Sequence, residues 1–265
     1  MNLVAAIAGA VTATAVVAPA SLAPPPSFGD FTASRHGFAF VNHFTGSSLP
    51  GPLVLLHGAL NAPSEYGLCG GMCFAAADFY IAGRTPPRST TPPRRGTALY
   101  RYIYQRQADS LGERLAYAAQ FSLWMDMPDT GPFSASAASV AQLNDALALL
   151  DDGKPAHIGL VYISSKQTRE PWHNHQVLAT SYRLDENDGG ATACSLRIYD
   201  PNYPGDDGVR IDLALALEGF ERIGHAMVPV VNAECRRIVT ERPPRRVRGV
   251  FLMPYSPKVP PNGLR

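Results

Sequence analysis

Cys69 lies in the stretch Tyr66-Gly67-Leu68-Cys69-Gly70-Gly71-Met72-Cys73, where glycines give way to the apolar, helix-forming run Phe74 to Tyr80. That change predicts a loop ending and a buried helix beginning close to Cys69. A thiol there meets free backbone N–H groups and the positive end of the helix dipole, a position suited to nucleophilic sulfur chemistry. Gly70 and Gly71 leave room for a substrate to approach the sulfur, and the Cys69 amide can supply half of an oxyanion hole. The same stretch also fits a buried cysteine beside a glycine turn. Cys73, one helical turn later, shares the helix face but sits among Met72, Phe74 and Ala76, the setting of a packed core thiol.

A thiol nucleophile needs a base, and the base needs an orienting acceptor. Trp172 to Tyr182 reads as a strand opened by His175, residues 183–192 are polar and glycine-containing, and Cys194 to Tyr199 reads as the returning strand that delivers Asp200-Pro201-Asn202. In two adjacent antiparallel strands the start of one and the end of the next share a sheet end. His175 and Asp200 are therefore expected to meet. His173 and His175, two apart on a strand, can also share a zinc ion with Cys194 or Asp200, but neither H-E-x-x-H nor paired C-x-x-C accompanies them. The reading accordingly includes no metal and no cofactor, and it places His173 exposed beside the site.

This layout resembles the papain-like cysteine peptidases, and more closely the bacteriocin-processing, double-glycine type. The residues that carry the resemblance are the Cys69-Gly70 turn before a buried helix, the H-x-V-x-x-x-x-Y strand from His175 to Tyr182, and Asp200-Pro201 after the following strand. It covers residues 66–80 and 172–205. The resemblance implies an α+β fold in which a helical lobe led by the Cys69 helix packs on an antiparallel sheet. It further implies Cys69 as nucleophile, His175 as general base and acid, Asp200 as the group that orients the imidazole, and a peptide or other amide as substrate. Where that family has a glutamine shortly before the cysteine as oxyanion donor, this chain has Asn61, Ser64, Glu65 and Tyr66, so Asn61 is the candidate. Gln176 is a second, pointing either to the oxyanion or to solvent. Two rival readings are a binding module that keeps the framework without turnover and an acyltransferase using the same three residues.

The remaining chain must position these groups. With 265 residues, 23 basic against 22 acidic side chains and 46% hydrophobic content, the composition fits one globular domain over residues 27–265. The near-zero net charge gives no electrostatic reason to expect nucleic acid or acidic membranes as partners. Residues 1–26 are signal-like: an apolar run rich in small side chains over residues 1–23, ending in Ser21-Leu22-Ala23, followed by three prolines. That resembles an export signal and suggests secretion; the lack of a preceding Lys or Arg leaves a disordered or loosely helical extension, and a cytoplasmic chain, as the alternative. Weak hydrophobicity and Pro19 argue against a stable membrane span. Pro52 to Gly58 looks like the strand and His-Gly turn of α/β-hydrolases, but no G-x-S-x-G follows, so His57 reads as a turn or core histidine.

Residues 82–97, with paired prolines and four arginines, predict a stiff, solvated loop. Helices are expected over Leu99–Gln107, Leu111–Met127 and Ser134–Asp151, the last capped by Ser134 or Ser136 with Val140, Leu143, Leu147 and Leu150 on one face. Tyr100, Tyr102, Tyr104, Phe121 and Trp124 read mostly as core. His157 to Ile163 is a buried strand, a natural neighbour for the His175 strand. In the tail, Ile211–Phe220 and a closing strand Val247–Leu252 are expected, with Arg236, Arg237, Arg242, Arg245, Arg246 and Arg248 as solvated charges guarding an edge. Cys194 and Cys235 are open to a disulfide if the chain is exported.

Overall fold

A computed structural model describes residues 27–46, 64–112, 116–186 and 192–264. The export-like segment, the Pro52–Gly58 stretch with His57, and Asn61 lie outside the described residues. The fold is α+β. A one-turn helix α1 (Ala33–His36) and a two-residue hairpin, β1 (Phe44–Thr45) with β2 (Glu65–Tyr66), lead into α2 (Cys69–Ile81), α3 (Ala98–Ser110), α4 (Ala116–Asp126) and α5 (Ala135–Asp151). Seven strands follow: β3 (Ala156–Val161), β4 (His175–Glu186), β5 (Thr192–Tyr199), β6 (Arg210–Ile223), β7 (Ala226–Ile238), β8 (Arg245–Val247) and β9 (Gly249–Met253). They form one sheet in the order β8-β7-β6-β5-β4-β3-β9, with every pair antiparallel. Among the described residues no helix is long and apolar enough to cross a membrane.

The closing strand differs from the expectation. Val247 pairs with Cys235 of β7, and Gly249 pairs with Val161 of β3, so one run of chain borders both ends of the sheet with only Arg248 between. Neighbouring strands lie about 4.8 Å apart, so the ends of the sheet are curled until they meet at residues 247–249. Arg248 is no solvated edge charge. Its guanidinium is largely buried, pairs with Asp129 at 2.6 Å and donates to the carbonyls of Ile163 and Met127.

Helix α5 fills the opening where β7 and β9 diverge. Ser134 caps it by accepting from the Ala137 N–H, and Val140, Leu143 and Leu147 are buried against the sheet interior. Strand N–H groups that lack a strand partner are met by this helix: Ser136 Oγ accepts from Ala233, Ser139 Oγ from Val250 and Gln142 Oε1 from Leu252. Tyr100, Tyr102, Phe121 and Trp124 are core residues, as their spacing predicts. Helix α4 starts later than the expected Leu111, because α3 closes at a Gly112 with φ +73°, a left-handed conformation that glycine adopts at no steric cost. The loop over residues 82–97 is pinned: Arg84 donates to the carbonyls of Pro260 and Pro261, and Arg88 to those of Gly37 and Ser34.

Cys194 and Cys235 are buried free thiols. Cys194 on β5 faces Leu213 on β6, which faces Cys235 on β7. Two strand spacings amount to roughly 9–10 Å, beyond the Cα separation a disulfide spans. The intervening strand corrects the suggested pairing.

Candidate active site

Helix α2 begins at Cys69, and it is buried along almost its whole length. Its mouth is organised by side chains rather than by a capping hydroxyl. Asn42 Oδ1 accepts from the Leu68 N–H at 2.6 Å, and Gln107 Oε1, reaching over from α3, accepts from the Gly71 N–H at 2.9 Å. Cys69 is partly exposed, whereas Cys73, Cys194 and Cys235 are buried. Cys73 is the core thiol its neighbours suggest: its sulfur lies 3.8 Å from the Gln176 carbonyl oxygen and 4.0 Å from that of Tyr199. Burial first, then the nearby Cys69 and Asp200, push its pKa far up.

His175 opens β4 and Asp200 follows the last residue of β5, and the β4–β5 register, with Leu178 opposite Tyr199, brings both to one sheet end. His175 Nε2 lies 2.7 Å from Asp200 Oδ1. Cys69, at the start of α2, is close enough to the imidazole to raise its pKa as well. Burial alone would lower the His175 pKa, but the Asp200 carboxylate, by charge and hydrogen bond, and Cys69 after it raise it to about 10. Burial likewise works against the Asp200 carboxylate, and His175, Arg237 and the Asn202 N–H together hold its pKa below the usual range. The arrangement is a thiol on an imidazole that is charged at neutral pH and anchored on an ionised carboxylate. Such a pair can supply both a sulfur nucleophile and a proton for a leaving group.

Three residues complete the site that motif and spacing did not single out: Asn42, Asn202 and Arg237. Asn42 spans the two halves of the molecule, donating its N–H to the Pro201 carbonyl at 3.0 Å and its side-chain Nδ2 to Asn202 Oδ1 at 2.9 Å. The Leu68 N–H can only donate, so it fixes the orientation of the Asn42 amide, which in turn fixes that of Asn202. Asn202 then presents Nδ2 to His175 Nε2 at 3.3 Å. While Nε2 carries the proton it gives to Asp200, that approach is a packing contact between two donors. A methyl group at Gly67 would lie 2.7 Å from Asn42 Nδ2, which explains the glycine before Leu68. Arg237 Nη1 donates to Asp200 Oδ2 at 2.9 Å from a buried position, so this arginine too departs from the expected solvated edge. The signal for it lay in the alternation of β7, where Arg237 and Arg236 must face opposite sides.

Gly70 and Gly71 do not open a path to the sulfur. A methyl group on Gly70 would lie 1.9 Å from Gln176 Oε1 and 2.2 Å from Ser110 Oγ, and one on Gly71 would lie 2.2 Å from the Ile103 carbonyl oxygen. The space their missing side chains leave is taken by the protein itself, which lets α3 and the Gln176 side chain close against α2. Gln176 is buried, not solvent-facing, and its Oε1 is 2.9 Å from His157 Nε2. That bond occupies the carbonyl end of its amide. Burial, opposed by the Gln176 bond, drops the His157 pKa to about 4, so His157 is a neutral core residue beneath the site. His173 is exposed and pairs with Glu170 at 2.9 Å. Among the described residues no group of three or more His, Cys, Asp or Glu side chains is placed to hold a metal ion. A separate concave surface, about 700 Å³, lies on the outer face of β4 to β7 among Arg183, Ser195, Asp212 and Arg236. No protein-family model matches this chain, and no match was found among curated proteins or solved structures.

Proposed function

We propose that the chain is a papain-like cysteine-type hydrolase that acts on peptide or other amide bonds through a thioester acyl-enzyme. The observation that carries this reading is that Cys69, partly exposed at the start of a buried helix, lies close enough to act on the protonation of a His175 anchored on Asp200. Cys69 sulfur attacks the carbonyl carbon, and the C–N bond breaks as His175 hands its proton to the departing amine. Neutral His175 then takes a proton from water as the water attacks the thioester, and the carboxylic acid leaves with Cys69 restored. Asp200 keeps the ring oriented and the imidazolium stabilised throughout. The Cys69 backbone N–H, first on a helix whose next turn is already bonded, is the natural donor to the oxyanion.

The test is to incubate the full chain with a mixed peptide and amide library, with and without hydroxylamine, beside Cys69→Ala. New carboxyl termini that depend on Cys69 and are diverted to hydroxamates by hydroxylamine support the reading, and library members joined to one another's amines in place of new carboxyl termini redirect it to acyl transfer by the same residues. Cleavage that persists in Cys69→Ala contradicts it.

A further inference from the structure

Arg237 is a charged side chain fixed behind the His175–Asp200 pair. It is 5% exposed, it reaches Asp200 Oδ2, and Nη2 donates to Tyr203 Oη at 3.3 Å. The two carboxylate oxygens thus have separate tasks: Oδ2 is held by Arg237, while Oδ1 holds His175 and accepts the Asn202 N–H. The guanidinium is also clamped between two rings, 5.4 Å from the centroid of Tyr162 and 5.1 Å from that of Tyr203. Each ring carries a further arginine: Arg245 lies 3.7 Å from the Tyr162 ring centre and Arg242 lies 5.2 Å from that of Tyr203. A ladder of alternating cations and rings therefore runs from the buried carboxylate along the β7–β8 end of the sheet.

We propose that Arg237 is a positioning residue of this site, acting through Asp200: it fixes the carboxylate so that Oδ1 faces His175, and its permanent charge sets the pH range over which the His175–Asp200 pair holds its protons. The consequence for reactivity rests on the thiol-site reading above; the coupling of Arg237 to the titration of the pair does not. A fixed cation makes every proton on the pair harder to hold, so removing it moves both protonation steps to higher pH. The other ionisable groups around the pair come from every neighbouring element. Tyr162 follows β3 and Tyr203 follows β5, both in contact with the guanidinium, and Cys235 lies on β7 beside Tyr162. Cys69 and Cys73 face it from α2, His157 on β3 acts on His175 and Tyr199 on β5 on Asp200, and Arg242 and Arg245 stand beyond the rings. Arg242 and Arg245 remain in place when Arg237 is changed, Cys69 is absent from the Cys69→Ala chain, and burial acts on Cys73, Cys235, Tyr162, Tyr199 and His157 alike in both variants, so a difference between Arg237→Gln and Arg237→Lys reports the Arg237 charge.

The experiment follows the His175 ring nitrogens by NMR against pH in the full chain carrying Cys69→Ala, alone and with Arg237→Gln or Arg237→Lys. The neutral variant is expected to raise the His175 titration by roughly one unit, whereas the lysine, which keeps the charge, holds it near the parent value. An unmoved titration in Arg237→Gln, or an equal shift in both variants, overturns the proposal. A measurement without a variant covers the case in which Arg237→Gln does not fold: the Arg237 guanidinium resonances of the parent must move with the same midpoint as His175, and resonances that stay still overturn it. Cys69 alkylation, read in parallel on chains that keep Cys69, is expected to show its whole pH profile displaced upward in Arg237→Gln. Alkylation indifferent to His175→Ala would remove the thiol-site reading and leave the titration result standing.

Discussion

Two buried carboxylates in this molecule each face a buried arginine, and they do opposite things. Asp78, inside the helical lobe on α2, is ringed by partners: Arg106 at 2.7 Å, the hydroxyls of Tyr102 and Tyr255 at 2.7 and 2.8 Å, and the Lys258 N–H at 2.8 Å. Asp200 also has its arginine, but its other oxygen is turned to a histidine whose protonation a nearby, partly exposed thiol also favours. Burial dominates at Asp78 and leaves its pKa raised despite its partners. At Asp200 burial is outweighed, because His175 brings a second cation, and the pKa falls. A closed cluster ties α2, α3 and the C-terminal strap into one unit, and an open one passes its charge along a line to a reactive atom. The difference lies in whether one member of the cluster can change its protonation and is reached from outside.

That contrast is sharpest in exchange of oxygen for nitrogen. Asp200→Asn is expected to slow alkylation of Cys69 at neutral pH by roughly 10²-fold, while Asp78→Asn, remote from the thiol, leaves the rate per folded molecule within about twofold. Equal effects of the two would erase the distinction. Next in size is stability: Asp78→Ala leaves Arg106 with Asp109 at 2.6 Å as its remaining carboxylate and takes the acceptor from the Tyr102 and Tyr255 hydroxyls, and is expected to cost about 3 kcal/mol in urea unfolding. A loss under about 1 kcal/mol would mean the cluster is a bystander.

The pH range separates the clusters further, because the Asp78 and His175 pKa values are both raised but from ordinary values of 3.8 and 6.5. The folded-state pKa of His175, about 10, exceeds the ordinary 6.5, so its protonation favours the folded chain. The stabilisation it contributes is full below pH 6.5, falls as pH rises from 6.5 towards about 10, and is absent above that. Thermal melts of wild type and His175→Ala should therefore converge across this window, and a gap that stays constant contradicts the assignment. The smallest expected effects are at the helix mouth. Gly71→Ala, pressed on the Ile103 backbone carbonyl, should destabilise by about 1–3 kcal/mol. Gly70→Ala meets the movable ends of Gln176 and Ser110 and should cost less. The reverse order, read from unfolding midpoints, would show that Gln176 is held more rigidly than backbone.

The elements that carry local signals were legible in the sequence. The glycine-to-apolar switch marks the start of α2, alternation and a polar turn mark β4 and β5, and antiparallel pairing alone puts His175 beside Asp200. Contacts between distant segments were not legible. Asn42 meets Leu68 and Asn202 only because the early loop lies across both halves of the site. Alternation sets Arg237 opposite Arg236, but that Arg237 is the one that meets Asp200 shows only where β7 ends against it. Gly70 and Gly71 are small for the sake of packing, a reason that composition at one position cannot distinguish from access for a substrate. The shared strand of residues 245–253 was hidden for a related reason, since one apolar run is consistent with a single edge or with closure of the sheet on itself.

The most direct measurement is the rate of iodoacetamide labelling of each cysteine against pH, by peptide mass spectrometry, in wild type and His175→Ala. The expected result is fast labelling of Cys69 at neutral pH, far ahead of the buried Cys73, Cys194 and Cys235, with that advantage falling at least about 100-fold when His175 is removed. A Cys69 that labels at the same rate with and without His175 would contradict the claim that the two act as one chemical unit.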